Sequence, residues 1–156
     1  MKHTAFYTIA ILAIGFLFYL NFSPSKKPGK EQGVIFTALA PKPIGPYSQA
    51  VRRGNAVFVS GQIAIDPISG KLDTSDIASE TKRVMNHIAA ILKSEGVTMN
   101  EIAQARIYLT DIRNFAVVNE VYSGYFGEGP FPARETVQVV ALPKGAHIEI
   151  SVIAIQ

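Results

Sequence analysis

The fold of this 156-residue chain is decided around residues 77–92, which read IASETKRVMNHIAAIL. Apolar side chains recur there at helical spacing, namely Ile77, Val84, Met85, Ile88 and Leu92. Residues 73–76 offer acidic and hydroxyl side chains for an N-cap, and Gly96 stands where a helix commonly ends. These features predict an amphipathic helix with one buried face.

Short strands are predicted on both sides of this helix. Residues 34–37, 49–52 and 56–60 are rich in β-branched or aromatic side chains, and Gly54-Asn55 is typical of a hairpin turn. Downstream, a capping box at Thr98 and Glu101 precedes a strand around residues 106–110. The central pattern is therefore strand, helix, strand.

The last third of the chain predicts a second helix and two more strands. Asp111 is a candidate cap for a helix with one apolar face, formed by Phe115, Val118, Tyr122, Tyr125 and Phe126. Residues 136–141 and 148–154 alternate with the strand period, and we expect them to form a hairpin through the turn at 142–145. The order β-β-β-α-β-α-β-β predicts an α+β fold, with two helices on one face of a mixed sheet.

The alternation in the expected hairpin places Arg134, Thr136 and Glu149 on a polar face and Val137 and Val139 on the apolar one. An Arg134–Glu149 pair on a solvated face would add only a few tenths of a kcal/mol. Alternatively, the guanidinium fork binds a substrate carboxylate, and Glu149 polarises a water or takes its proton. Periodicity alone leaves both interpretations open.

An apolar run at residues 5–20 precedes the domain and is flanked by lysines. It is compatible with an uncleaved membrane helix, a cleaved export signal or an extra helix packed on the fold. We predict a membrane anchor or signal segment at 1–22, a polar linker at 23–33 and one globular domain at 34–156. The expected location is at a membrane, in the periplasm or outside the cell rather than in the cytoplasm.

Composition excludes several classes of function. The chain has no cysteine, so disulfides, thiolate nucleophiles, zinc fingers and iron–sulfur clusters are impossible. Four of the 15 basic residues precede Glu31, whereas none of the 12 acidic residues does. The remaining chain is thus close to neutral, and this argues against nucleic acid as a partner.

Four motifs stand in a fixed order along the domain: IGPYSQA at 44–50, SGQI at 60–63, PARETV at 132–137, and LPKG at 142–145 followed by IEI at 148–150. Together they resemble the reactive intermediate deaminase family (Rid, also called RidA/YjgF), and the resemblance covers essentially all of residues 34–156.

The resemblance implies a chorismate-mutase-like fold assembled as a homotrimer, with active sites at the subunit interfaces. It implies an enamine/imine deaminase, a hydrolase acting on C–N bonds. Its substrates would be 2-imino acids and their enamine tautomers, such as 2-iminobutanoate and 2-iminopropanoate, its products 2-oxo acids and ammonia, and it would use no metal or organic cofactor. The alternatives are a non-catalytic trimer that binds small carboxylates or other proteins and, less favoured by the near-neutral domain, a ribonuclease or translation inhibitor.

The resemblance also implies roles for individual residues. Arg134 would bind the substrate carboxylate, Glu149 would hold or activate the attacking water, and Tyr47 would close the pocket and donate a hydrogen bond. The pocket walls would be formed by Ser60, Gly61, Asn119 and Thr136. Three of these assignments have a structural alternative: Tyr47 as a loop aromatic, Ser60-Gly61 as a strand bend, and Asn119 as a residue of a polar helix face.

Overall fold

The computed structural model describes residues 33–156, which contain six strands and two α-helices in the predicted order. The strands are β1 (Gly33–Ile35), β2 (Ala50–Arg53), β3 (Ala56–Gln62), β4 (Ile102–Leu109), β5 (Ala133–Gln138) and β6 (Ile148–Ile155). The helices are α1 (Ile77–Ser94) and α2 (Phe115–Ser123).

One six-stranded sheet has the order β1-β2-β3-β6-β4-β5. All neighbouring strands are antiparallel except β4 and β5, which are parallel, so the sheet is mixed as predicted. The β2–β3 hairpin is confirmed: Arg53 pairs with Ala56 across a turn in which Gly54 has a φ of 60°. A positive φ favours glycine because glycine lacks a Cβ atom.

Helix α1 begins and ends where its sequence predicts. The Asp76 carboxylate caps it by accepting a hydrogen bond from the Ser79 amide at 2.9 Å. Gly96, just beyond the helix, has a φ of 70°. The side chains of Val84, Met85 and Ile88 are fully buried, and the helix packs against β3 and β6. Burial of this face is the main stabilising contribution of α1.

Helix α2 is short and packs against α1, with Val118 and Tyr122 buried. The Asp111 side chain caps a 3₁₀ turn at Ile112–Asn114 rather than α2 itself, accepting from the Arg113 amide. The two helices cover one face of the sheet, which confirms the predicted α+β architecture. The other sheet face is not covered by any element within residues 33–156.

The predicted hairpin between the last two strands is wrong. Strand β4 lies between β5 and β6, so residues 139–147 connect two strands that do not pair. The consequences reach the site, because directly paired residues share a sheet face. Arg134 pairs with the fully buried Ala105 on the helix side.

On β6 the buried side chains are Ile148 and Ile150, so Glu149 between them points to the open face. The expected pairing of Arg134 with Glu149 therefore does not occur within one subunit. Val137, expected in the core, is 44% exposed because the edge strand β5 lacks cover on the open face. The alternation of apolar and polar residues predicted the two faces of β6, but it could not show that β4 lies between β5 and β6.

The prediction of a membrane-anchored or exported protein is also corrected. Between Gly33 and Gln156, no helix combines the length and apolar character needed to cross a bilayer. The segment that suggested an anchor or signal, residues 1–22, lies outside the described residues, as does nearly all of the 23–33 linker.

Candidate active site: two half-sites on opposite faces of one sheet

The first half-site is a cleft of about 270 Å³ around the Glu149 carboxyl group. One wall is the loop that carries Tyr47, a second is the end of β3, and Pro143 closes a third side. The lining is mostly apolar and includes Pro41, Pro43, Ile44, Ile63, Ile65 and Pro143. Glu149 is the acidic residue of the lining, whose other polar members are Lys42, Tyr47, Gln49, Ser60 and Gln62.

Gly61 makes room for the carboxylate. The β3–β6 register runs from Val59 opposite Val152 to Gln62 opposite Ile150, so Ser60 and Gly61 together oppose one residue as a β-bulge. A Cβ atom on Gly61 would lie 1.9 Å from Glu149 Oε1. Ser60-Gly61 therefore forms a strand bend that also lines this cleft, whereas the sequence offered the bend and the pocket wall as alternatives.

The environment of Glu149 raises its pKa, because partial burial penalises the charged form. Its carboxylate has no hydrogen-bond or ion-pair partner among residues 33–156. A partly buried carboxyl group with a raised pKa is suited to taking up and returning a proton.

Three further side chains shape this cleft. The Tyr47 hydroxyl accepts a hydrogen bond from the Ile44 amide at 3.2 Å, so its own proton stays free to donate. The Ser60 hydroxyl donates to the Ser48 carbonyl at 2.7 Å and can therefore only accept from a ligand. The buried Gln49 side-chain amide holds this loop in place: its oxygen accepts from the Thr37 amide, and its nitrogen donates to the carbonyls of Thr37, Ala40 and Pro41.

The second half-site surrounds Arg134, on the helix side of β5. A cavity of about 360 Å³ is lined there by Asn119, Tyr122, Ser123, Phe131, Pro132 and Arg134. Arg134 makes no ion pair or hydrogen bond to any described residue, whereas Arg52, Arg83, Arg106 and Arg113 each pair with a carboxylate. Its guanidinium fork is free to bind an anion.

Buried polar atoms without partners cluster beside Arg134. Within the described part of the chain, only four such side-chain atoms occur, and three of them are Asn119 Oδ1, the Tyr122 hydroxyl and Thr136 Oγ1. Each unsatisfied buried group costs about 1–3 kcal/mol. Their concentration next to an unpaired arginine indicates that a polar ligand, water or a second subunit supplies the missing partners.

The predicted site residues thus fall into two groups. Tyr47, Ser60, Gly61 and Glu149 meet at the first half-site, while Arg134, Asn119 and Thr136 belong to the second. The sequence did not predict the hydrogen bonds by which Gln49 holds the loop. It assigned Tyr122 to packing and did not predict the contact of its ring with Arg134. The signal for Tyr122 was its helical spacing from Asn119, which puts both side chains on the α2 face that meets Arg134.

The described chain is a small α+β protein with an arginine that has no ion-pair partner among residues 33–156 on one sheet face and a partly buried carboxylate on the other. Residues 37–156 match the family described as endoribonuclease L-PSP, and the chain belongs to this family, whose members include the Rid proteins. The predicted family membership is confirmed.

Three similar proteins illustrate the relationship. A RutC family protein of Pyrococcus abyssi is 53% identical over 121 residues, which cover 78% of this chain and 94% of the relative. The human protein named 2-iminobutanoate/2-iminopropanoate deaminase is 46% identical over 123 residues, 79% of this chain and 89% of its own. A crystal structure of a Rid-family protein of unknown function from Yersinia pestis has a TM-score of 0.78 and 45% identity. It covers 81% of this chain and all of its own.

Proposed function

We propose that this protein hydrolyses reactive 2-imino acids and their 2-enamino tautomers to 2-oxo acids and ammonia. The support from relatives is the human protein, 46% identical and named for deamination of 2-iminobutanoate and 2-iminopropanoate. The support from the site is a free arginine suited to a carboxylate, and a carboxyl group with a raised pKa suited to activating water.

The observation that carries the proposal is the presence of both groups, an arginine without a carboxylate partner among residues 33–156 and a partly buried carboxyl group. Within one subunit these two groups are separated. Arg134 lies on the helix face of edge strand β5, and Glu149 lies on the opposite face of β6, two strands away. No side-chain rotation brings them to one small substrate within a subunit. A complete site therefore needs the Arg134 half-site of one subunit and the Glu149 half-site of another.

We propose a homotrimer as this assembly. Its interior would be the sheet face that the helices leave open, where Phe58 is 40% exposed beside a shallow cleft lined by Val51, Gln104, Arg106, Ser151 and Ile153. The Arg106–Glu135 ion pair, 2.8 Å long, leaves little unpaired charge on this face. A closed ring of three copies buries such a surface without leaving an open edge.

In the proposed reaction, the Arg134 fork binds the substrate carboxylate and fixes the imine carbon near Glu149. The ionised Glu149 takes a proton from a water while the water oxygen bonds to the imine carbon. Glu149 passes this proton to the imine nitrogen, which gives a carbinolamine. Transfer of the carbinolamine hydroxyl proton to nitrogen through Glu149 then forms the C=O bond and breaks the C–N bond, and the products are the 2-oxo acid and ammonia. Tyr47 donates a hydrogen bond from the rim, and Asn119 and Thr136 complete the wall around the carboxylate.

The test is hydrolysis by the purified full-length chain. An amino-acid oxidase or a dehydratase generates the imine in the same cuvette, and release of the 2-oxo acid is followed with and without the protein. We expect release well above the spontaneous rate, with Glu149→Gln as the inactive control. A rate equal to the spontaneous one for all aliphatic imines would contradict the proposal and favour a trimer that only binds carboxylates.

A further inference from the structure

The guanidinium of Arg134 lies against two aromatic rings of α2. Its Cζ atom is 5.0 Å from the ring centroid of Tyr122 and 5.7 Å from that of Phe115. Both distances are within the range of about 6 Å in which a cation is attracted to an aromatic face. Phe115 and Tyr122 are seven residues apart, so they lie on the same side of the helix, two turns apart.

The ring of Tyr122 is itself held in place by a series of aromatic contacts. Tyr122 packs on Phe126 with centroids 4.8 Å apart, and Phe126 packs edge-on against Phe131 at 5.9 Å. Phe131 leads through Pro132 into β5 and Arg134. The series therefore connects Tyr122, which contacts Arg134, to the segment that leads directly into β5, so a movement of the Tyr122 ring would disturb the segment that carries Arg134.

This arrangement matters because a guanidinium has two kinds of surface. Rings contact its flat faces, whereas its five N–H donors lie in the plane and point outward. Aromatic contacts therefore restrict the orientation of the fork without using the donors that a carboxylate needs. A carboxylate partner would instead have occupied them, and none is present among the described residues.

We propose that Phe115 and Tyr122 are positioning residues, which hold the Arg134 guanidinium ready to bind a carboxylate. The role of the carboxylate as part of the substrate rests on the function proposed above, whereas the orientation of the guanidinium does not. The contribution of Tyr122 comes from its ring, because its buried hydroxyl has no partner in the described chain.

The first test reads the guanidinium directly by NMR. The Arg134 Nε–H signal is assigned by its disappearance in Arg134→Lys, and nearby rings shift it away from the position of solvent-exposed arginines. We expect Tyr122→Leu and Phe115→Leu to reduce this shift and Tyr122→Phe to restore it. A wild-type signal at the exposed position, or one that Tyr122→Leu leaves unmoved, would overturn the proposal whether or not the protein is an enzyme.

The second test separates positioning from stability by kinetics. Losing one ring contact is expected to raise KM for the imino acid about 3- to 10-fold, the scale of a single cation–π contact, and to change kcat less. Phe115→Leu serves as a second variant because Phe115 is 40% exposed and its replacement leaves the core intact.

Val118→Ala is the matched control, since Val118 is a buried residue of the same helix outside the Arg134 cavity. It should lower the melting temperature without raising KM. If Val118→Ala and Tyr122→Leu raise KM equally at equal loss of stability, the rings act only through folding and the proposal fails. Absence of hydrolysis in the wild-type chain together with the expected NMR shifts would instead overturn the proposed function alone.

Discussion

The two half-sites of this protein are built in different ways. Around Glu149, the backbone forms most of the cleft, through the bulge at Ser60-Gly61 and the loop that Gln49 holds by hydrogen bonds. The Glu149 carboxylate occupies the space that a Cβ atom on Gly61 would take. Around Arg134, packed side chains form the site, with two rings on the guanidinium and a set of buried polar atoms without partners.

In the proposed function, this difference corresponds to a division of labour. The Glu149 half-site would provide a partly desolvated proton carrier, which a hydrolytic step requires. The Arg134 half-site would provide the donors that recognition of a carboxylate requires. Changes in the first should therefore reduce the rate of the chemical step, and changes in the second should reduce binding.

The largest effect is expected for Glu149→Gln. Removing the base should lower kcat about 10²- to 10⁴-fold, the usual range for acid–base help, while binding of a 2-oxo acid stays close to the wild-type value. Isothermal titration with 2-oxobutanoate and the imine assay measure the two quantities. Equal losses in binding and rate would contradict the division of labour and give Glu149 a positioning role.

Arg134→Lys is expected to act mainly on binding. An ammonium keeps the charge but cannot form two parallel hydrogen bonds, so kcat/KM should fall about 10²-fold, with most of the loss in KM. Size-exclusion chromatography of the variant checks that the assembly is unchanged. A near-wild-type KM in an intact assembly would remove the carboxylate-binding role.

Gly61→Ala should affect rate through Glu149. The added methyl group would lie 1.9 Å from Glu149 Oε1 and force the carboxylate aside, with an expected loss of about 10- to 100-fold in kcat. In the Glu149→Gln background, Gly61→Ala should lower kcat little further, because both substitutions act through the Glu149 carboxylate. The matched control is Gly124→Ala, whose Cβ atom would meet only Val121 O at 3.5 Å. Full additivity of the two changes would contradict this account.

The smallest effect concerns stability and pH. Burial raises the Glu149 pKa above its ordinary value of 4.5, so the folded protein binds this proton more tightly than the unfolded chain does. Ionisation of Glu149 therefore costs stability as pH rises above about 4.5 through the raised pKa. Glu149→Gln should melt at a higher temperature than the wild type at pH 7 and at the same temperature below pH 4.5. A Glu149→Gln variant that melts below the wild type at pH 7 would contradict the sign of this effect.

The sequence was sufficient for most of the fold and for the family to which the chain belongs. Helical spacing located α1, and Gly54-Asn55 located the first hairpin, because both signals are local. The predicted pairing of β5 with β6 was wrong. The alternation of polar and apolar residues and the Pro-Lys-Gly turn would be the same whether β6 pairs directly with β5 or lies on the far side of β4. That error placed Arg134 and Glu149 on one face.

The role of Tyr122 was missed for a related physical reason. An aromatic residue on an apolar helix face is usually core, and its contact with Arg134 depends on which strand edge lies beside α2. Likewise, Gly61 carries no side chain that a sequence pattern could assign, and its importance follows from the close approach of the Glu149 carboxylate. Long-range placement, rather than residue type, was the missing information.

The most direct test of the account is complementation between the two half-sites. Arg134→Lys and Glu149→Gln subunits are unfolded together in equal amounts, refolded, and assayed for imine hydrolysis. Sites shared between two copies predict recovery of about one quarter of the wild-type activity, since random assembly unites an intact Arg134 with an intact Glu149 at one interface in four. Mixed assemblies, verified by a tag on one variant, that stay as inactive as each variant alone would contradict a shared site.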